Sequence, residues 1–160
     1  MLRLRHFTVL AFATGLAATS ALAADSPDQA TIRALRAESN RAIAAHDLKA
    51  FLPVFAEDAA FVWSNGSSAS GRSGLAARFA EDFADPAFIR YVRTPAVIQL
   101  SDTGARAVEH GTWEAFKTSQ GQPTRYGGDY TAHWARTPTG WRIRGELYVK
   151  LRCEGPLCTP

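Results

Sequence analysis

The chain has 160 residues, with 18 lysines and arginines against 15 acids, a net charge of +3 and a hydrophobic fraction of 46%. That length fits one domain, which would bury about two-thirds of its extended surface on folding. No basic run is longer than Arg142-x-Arg144, so the clustered patch that a nucleic-acid partner requires is missing and nucleic acid is rejected as the default partner.

The amino terminus reads as a processing signal. Arg3, Arg5 and His6 form a basic start, Phe7 to Ala18 an apolar stretch, and Ala21-Leu22-Ala23 a cleavage site before Ala24. The apolar run is short and carries Thr8, Thr14 and Gly15, so an anchor across a bilayer is the weaker reading. The expectation is a cleaved signal peptide over 1–23, a periplasmic or secreted product, and no membrane association afterwards. No cysteine follows the site, which argues against a lipoprotein. Losing Arg3 and Arg5 leaves sixteen cations against 15 acids, a net +1, so a pI near 9.1 overstates how basic the working protein is.

Residues 24–160 form the single expected domain, without internal repeats or low-complexity linkers. Ser26-Pro27-Asp28-Gln29 predicts a helix start: serine at the N-cap, proline at the first position, glutamine at the third. Ile32, Leu35, Ser39, Ala42 and Ile43 then recur at three-and-four spacing as one packing stripe. Asp47 predicts the cap of a shorter helix carrying Phe51, Leu52 and Phe55, kinked or ended by Pro53. Ala59 to Trp63 reads as a strand and Ser64 to Gly71 as a loop. The sequon Asn65-Gly66-Ser67 inside that loop reads as accidental. Leu75, Phe79 and Phe83 predict a third helix, broken at Asp85-Pro86. Ala96 to Ser101 and Arg106 to Thr118 predict strands joined at Asp102-Thr103-Gly104.

The most informative stretch is 124–151. Tyr126, Tyr130 and Trp134 share one parity, opposite Arg125, Asp129 and His133. After the turn Thr137-Pro138-Thr139-Gly140, Trp141, Ile143, Leu147 and Val149 share a parity opposite Arg142, Arg144, Glu146, Tyr148 and Lys150. Period-two alternation around a short polar break predicts an antiparallel hairpin with one buried face. Helices first and a meandering sheet last make an α+β domain.

Cys153 and Cys158 flank Glu154-Gly155-Pro156-Leu157. In an exported chain, two nearby cysteines are read as a disulfide that clamps the tail. A redox pair or half a metal site are the alternatives, but redox motifs use two intervening residues and zinc needs more ligands than the tail supplies.

With that order in hand the chain resembles the nuclear transport factor 2-like superfamily, the group of SnoaL-like cyclases and ketosteroid isomerases. The resemblance rests on His46-Asp47-Leu48-Lys49-Ala50-Phe51, Ala56-Glu57-Asp58-Ala59, Ser70-Gly71-Arg72, Gly128-Asp129-Tyr130 with Trp134, and Gly140-Trp141-Arg142-Ile143. It implies a cystatin-like α+β roll: a curved, mainly antiparallel sheet wrapped around N-terminal helices, a cone with a pocket at its open end, and often a homodimer across the sheet's outer face. The chain looks closest to exported members. It does not clearly show the aspartates and tyrosine of a ketosteroid isomerase, so no catalytic residue is carried over from that enzyme.

If the pocket exists, strand alternation selects which polar groups share its face. Ala105, Ala107, Glu109, Gly111 and Trp113 have one parity, and small Ala107 and Gly111 suggest close packing there. Glu109 is the leading acid or base, since desolvation among Trp113, Tyr130 and Trp134 would raise its pKa. Tyr130 is the candidate donor to a developing oxyanion. The competing reading pairs Glu109 with an arginine such as Arg142 or Arg144. Trp63, Trp113, Tyr126 and Trp134 are the candidate ligand contacts. The parity of His133 and Asp129 puts them opposite the aromatic face, Glu146 is ambiguous, and Asp58 reads as part of a helix–strand corner. No metal-ligand spacing and no nucleotide-binding glycine turn is present, so no cofactor is expected.

Two functions fit. One is a domain that holds a small, largely apolar molecule without transforming it. The other is a metal-independent lyase, isomerase or cyclase, with Glu109 as base and Tyr130 as donor beside a carbonyl. Fold-level analogy cannot choose between them.

Overall fold

The computed structural model describes residues 24–158; the expected signal peptide lies outside them. Helix α1 spans Pro27–Ala44, α2 Leu48–Phe51, and a 3-10 turn Leu52–Val54 follows. Strand β1 is Phe55–Val62, β2 Ser68–Ser70, helix α3 Gly71–Ala84, and strands β3 to β6 are Phe88–Leu100, Arg106–Ser119, Gln122–Thr137 and Gly140–Glu154. One six-stranded sheet has the order β2-β1-β6-β5-β4-β3. It is antiparallel except for β1 beside β6.

Local chemistry accounts for the helices. Ser26 and Gln29 form the expected capping box: the Ser26 N–H donates to Gln29 Oε1 at 2.7 Å, and the Gln29 N–H to Ser26 Oγ at 3.4 Å. Asp47 accepts from the Ala50 N–H at 3.0 Å and starts α2. Pro53 falls just where α-helix gives way to the 3-10 turn. Phe55, expected in the second helix, instead opens β1, which therefore begins four residues before Ala59. Ile32 and Ile43 of α1 are fully buried in the same core as Trp134, Trp141 and Ile143 of the sheet, each burial worth about 1.5–3 kcal/mol.

The long strand β3 begins at Phe88, eight residues before the expected Ala96. Pro95 obscures it, and is tolerated because β3 is an edge strand with an irregularity between Pro95 and Val97. Helix α1 covers that edge. Gln29 Nε2 donates to Ile98 O at 2.7 Å, Arg33 Nη1 to Pro95 O at 2.9 Å and Asn40 Nδ2 to Arg93 O at 2.8 Å, while the Arg93 N–H donates to Asn40 Oδ1 at 3.1 Å.

Two bulges bend the last hairpin and correct its expected buried face. His133 pairs with Gly145 but Trp134 with Ile143, which leaves Arg144 as an extra residue on β6. The parity reverses there. Trp141 and Ile143 are buried as expected, whereas Leu147 and Val149 are 48% and 45% exposed and Glu146 turns inward at 4%. A second bulge leaves Leu151 unpaired between Lys150 and Arg152. On β4 no such break occurs against β5, and Ala107, Glu109, Trp113 and Ala115 all face the core. Gly111 belongs to that row because a Cβ there would stand 2.9 Å from Tyr130 Cε1. The same Cβ would stand 2.2 Å from the Thr94 carbonyl oxygen, so backbone as well as ring excludes a side chain there.

The expected disulfide joins Cys153 to Cys158, with Cα atoms 5.7 Å apart. Within it the Cys158 N–H donates to Gly155 O at 3.1 Å, and the Leu157 N–H donates to Thr124 Oγ1 at 3.3 Å. The tail thus folds back over the start of β5 instead of trailing from β6.

Candidate functional site

A cavity of about 490 Å³ opens between α3 and the inner face of the sheet. Aromatic rings make most of its wall. Trp113 of β4 meets Tyr126 edge-on at 5.9 Å and Tyr148 edge-on at 5.6 Å, arrangements that suit the aromatic quadrupole. Phe61 stacks on Tyr148 at 5.7 Å, and Trp63, Phe79 and Tyr91 continue the lining. Leu157, set by the tail turn, completes the rim.

Charged groups punctuate this wall: Arg78, Arg93, Lys117 and Lys150, against the single carboxylate of Asp85. Lys117 Nζ lies 2.8 Å from Asp85 Oδ2, and Arg78 Nη2 lies 2.9 Å from Asp82 Oδ1. Burial raises the Asp82 carboxyl above its ordinary value despite Arg78 and the Tyr91 hydroxyl. The Lys117–Asp85 contact keeps Asp85 below its ordinary value and, against desolvation, Lys117 above its own.

Beneath the cavity lies a sealed polar cluster. Arg36 of α1 grips Glu109 of β4 with Nε to Oε1 at 2.9 Å and Nη2 to Oε2 at 3.1 Å. Tyr130 donates its hydroxyl to Glu109 Oε1, and Trp134 Nε1 donates to Oε2 at 2.6 Å. Arg36 Nη2 also lies 2.5 Å from Glu146 Oε1, an ionic contact, while Tyr148 donates to Glu146 Oε2 at 2.6 Å. Its guanidinium sits over the Tyr130 and Trp134 rings at 5.3 and 5.4 Å.

This geometry decides the protonation states. Desolvation alone would raise the Glu109 carboxyl, as expected from the sequence. The Arg36 charge, with hydrogen bonds from Arg36, Tyr130 and Trp134, outweighs it and leaves the group below its ordinary value. Burial likewise opposes the charge on Arg36, but Glu146 and Glu109 hold it well above its usual value. Burial and the adjacent carboxylates push the Tyr130 and Tyr148 phenols up, so both remain hydrogen-bond donors at neutral pH.

The sequence-derived candidates therefore separate into two layers. Trp63, Trp113 and Tyr126 line the cavity. Trp134, expected with them, is fully buried below, its indole N–H committed to Glu109. Glu109 and Tyr130 share that lower layer and are joined to each other. The arginine that pairs with Glu109 is Arg36, not Arg142 or Arg144; those two reach Thr139 and Asp58. His133 is exposed on the outer face, where burial and the nearby Arg106 and Arg144 lower its pKa. Arg36 occupies the packing stripe of α1 beside Ser39 and was legible there only by position, since charge argues against burial. Arg93 escaped notice because β3 begins before Pro95, and Tyr148 because the β6 bulge inverts the faces of that strand; Lys117 lies within the expected β4, on the parity of Glu109 and Trp113. Among the described residues, no group of three or more His, Cys, Asp or Glu stands together as a metal site.

Several solved structures share this architecture. An NTF2-like protein with a cystatin-like fold from Novosphingobium aromaticivorans matches at a TM-score of 0.63 and 21% identity, over 78% of this chain and 82% of its own. A ketosteroid isomerase-like protein from Erwinia carotovora atroseptica matches at 0.68 and 16%, over 80% and 99%. A hexachlorocyclohexane dehydrochlorinase matches at 0.65 and 13%, over 81% and 89%. At these identities the likeness is one of fold. No curated sequence matches the chain. The SnoaL-like domain model matches residues 24–145, so the chain belongs to the SnoaL-like domain family within the nuclear transport factor 2-like superfamily.

Proposed function

We propose that this is an exported domain that holds a small, largely apolar molecule in the cone cavity without transforming it. The carrying observation is the wall itself: Trp63, Phe79, Tyr91, Trp113, Tyr126 and Tyr148 around about 490 Å³, a volume usual for small-molecule sites. The buried carboxylate that would serve as base is held ionised below that wall, with both oxygens already accepting hydrogen bonds. Such a carboxylate is a weak base. Solvent extraction of protein purified from its exporting host, followed by mass spectrometry, tests the reading. A stoichiometric apolar compound supports it; turnover of a carbonyl compound that Glu109→Gln abolishes would contradict it.

The second reading, a metal-independent lyase, isomerase or cyclase, has one observation in its favour: Tyr130 and Glu109 are hydrogen-bonded partners. The dehydrochlorinase and the ketosteroid isomerase-like protein named above share the fold. In that reading Glu109 accepts the proton and Tyr130 supplies the hydrogen bond. We also propose a homodimer through the sheet's outer face, where exposed Val97 and Leu147 end one lateral row through His110 and Thr131.

A further inference from the structure

We propose that the cavity ligand carries a carboxylate, and that Arg93 is the group that receives it; this rests on the small-molecule reading above. Two arginines are buried in this domain, and they are treated differently. Arg36 touches both Glu109 and Glu146. Arg93, only 3% exposed, lines the cavity and forms no ion pair among the described residues. Its Nη2 donates to Ser39 Oγ at 2.5 Å, and its Nε has no hydrogen-bond partner.

A buried guanidinium needs opposite charge and acceptors for its forked donors. The carboxylates of Glu109 and Glu146 are engaged by Arg36, and neither forms an ion pair with Arg93. Desolvation accordingly lowers the Arg93 pKa. The fold also holds this residue in place. Asn40 takes its backbone N–H and C=O, and Ser39 on the preceding position takes the guanidinium, so two neighbouring residues of α1 orient it.

The other cations of the cavity do not compete for this role. Lys117 is committed to Asp85, Arg78 to Asp82, and Lys150 is exposed. Arg93 is the buried cavity cation without a carboxylate partner, and Tyr91, Trp113 and Tyr148 line the same cavity. A planar carboxylate on an apolar or aromatic body fits both features: the fork receives two oxygens, and the aromatic wall takes the remainder.

The test is calorimetric titration of the full exported domain with one-, two- and three-ring aromatic acids, each beside its neutral primary amide, naphthoate and naphthamide among them. The expected result is acid binding on the order of thirtyfold tighter than the amide. Arg93→Gln should erase that ratio while near-ultraviolet circular dichroism stays native, and Arg93→Lys should restore part of it. If Arg93→Gln unfolds, the wild-type ratio and the lysine variant decide. Acid and amide binding equally well would overturn the assignment and leave the small-molecule reading standing. Binding of none of the compounds would overturn both.

Discussion

Arg36 and Glu109 meet across the helix–sheet interface in a two-pronged ion pair, 2.9 and 3.1 Å, with side chains 1% and 0% exposed. Because Arg36 also touches Glu146, a single cation on α1 bridges carboxylates from two strands that are not neighbours in the sheet. The pair thereby fixes how the helix sits in the curve of the sheet. Removing the cation leaves two buried carboxylates uncompensated. Arg36→Met is expected to cost about 3–5 kcal/mol, read from urea unfolding. Adding Glu109→Gln and Glu146→Gln to it should recover part of the loss, since what destabilises is the unpaired charge.

Acid should unfold the domain partly through the same residue. The folded-state pKa of Glu109 lies below its ordinary value, so the unfolded chain binds its proton first. The stability it contributes is complete above the unfolded value of about 4.3 and is lost as pH falls through the lower folded value. Asp82, raised by burial, has the opposite sign: its ionisation costs stability at neutral pH, and acid relieves that cost. Urea midpoints measured from pH 7 downward should fall below about pH 4, and Glu109→Gln should flatten that decline.

The disulfide should act locally. It closes a loop between Cys153 and Cys158 that holds Leu157 at the cavity rim. Chain entropy gives about 2 kcal/mol for so short a loop. Reduction, or replacing both cysteines by serine, should therefore lower stability by about that amount at most and weaken ligand binding by freeing Leu157. A calorimetric comparison of oxidised and reduced protein checks both effects.

Much of this was legible in the residues. Ser26 to Gln29 announced α1 because a capping box satisfies helix amides by local contacts alone. Tyr126, Tyr130 and Trp134 announced the inner face of β5 because an unbroken strand keeps period two. What failed was non-local. The bulge at Arg144 exists to bend β6 around the helices, and no local pattern records it, so Glu146 and Tyr148 changed sides with Leu147 and Val149. Arg93 could not be found while Pro95 hid the first half of β3. The pairing of Glu109 was foreseen in kind, yet its partner came from a helix 73 residues earlier in the chain.

The outer face supplies a further expectation. Val97, Leu147 and Val149 are each at least 45% exposed on the convex side. If this face joins two copies, sedimentation at micromolar concentration should give a dimer mass, and Leu147→Asp with Val149→Asp should give a monomer of native secondary structure. A wild-type monomer would exclude the assembly.

The cavity claim is tested most directly by calorimetric titration of small aromatic compounds into wild-type protein and Trp113→Ala. Trp113 anchors the wall through its two edge-on neighbours, Tyr126 and Tyr148. We predict saturable one-to-one binding to wild type, weakened about tenfold or more in the variant. Absence of saturable heat for every compound, or equal affinity in both proteins, would contradict the account.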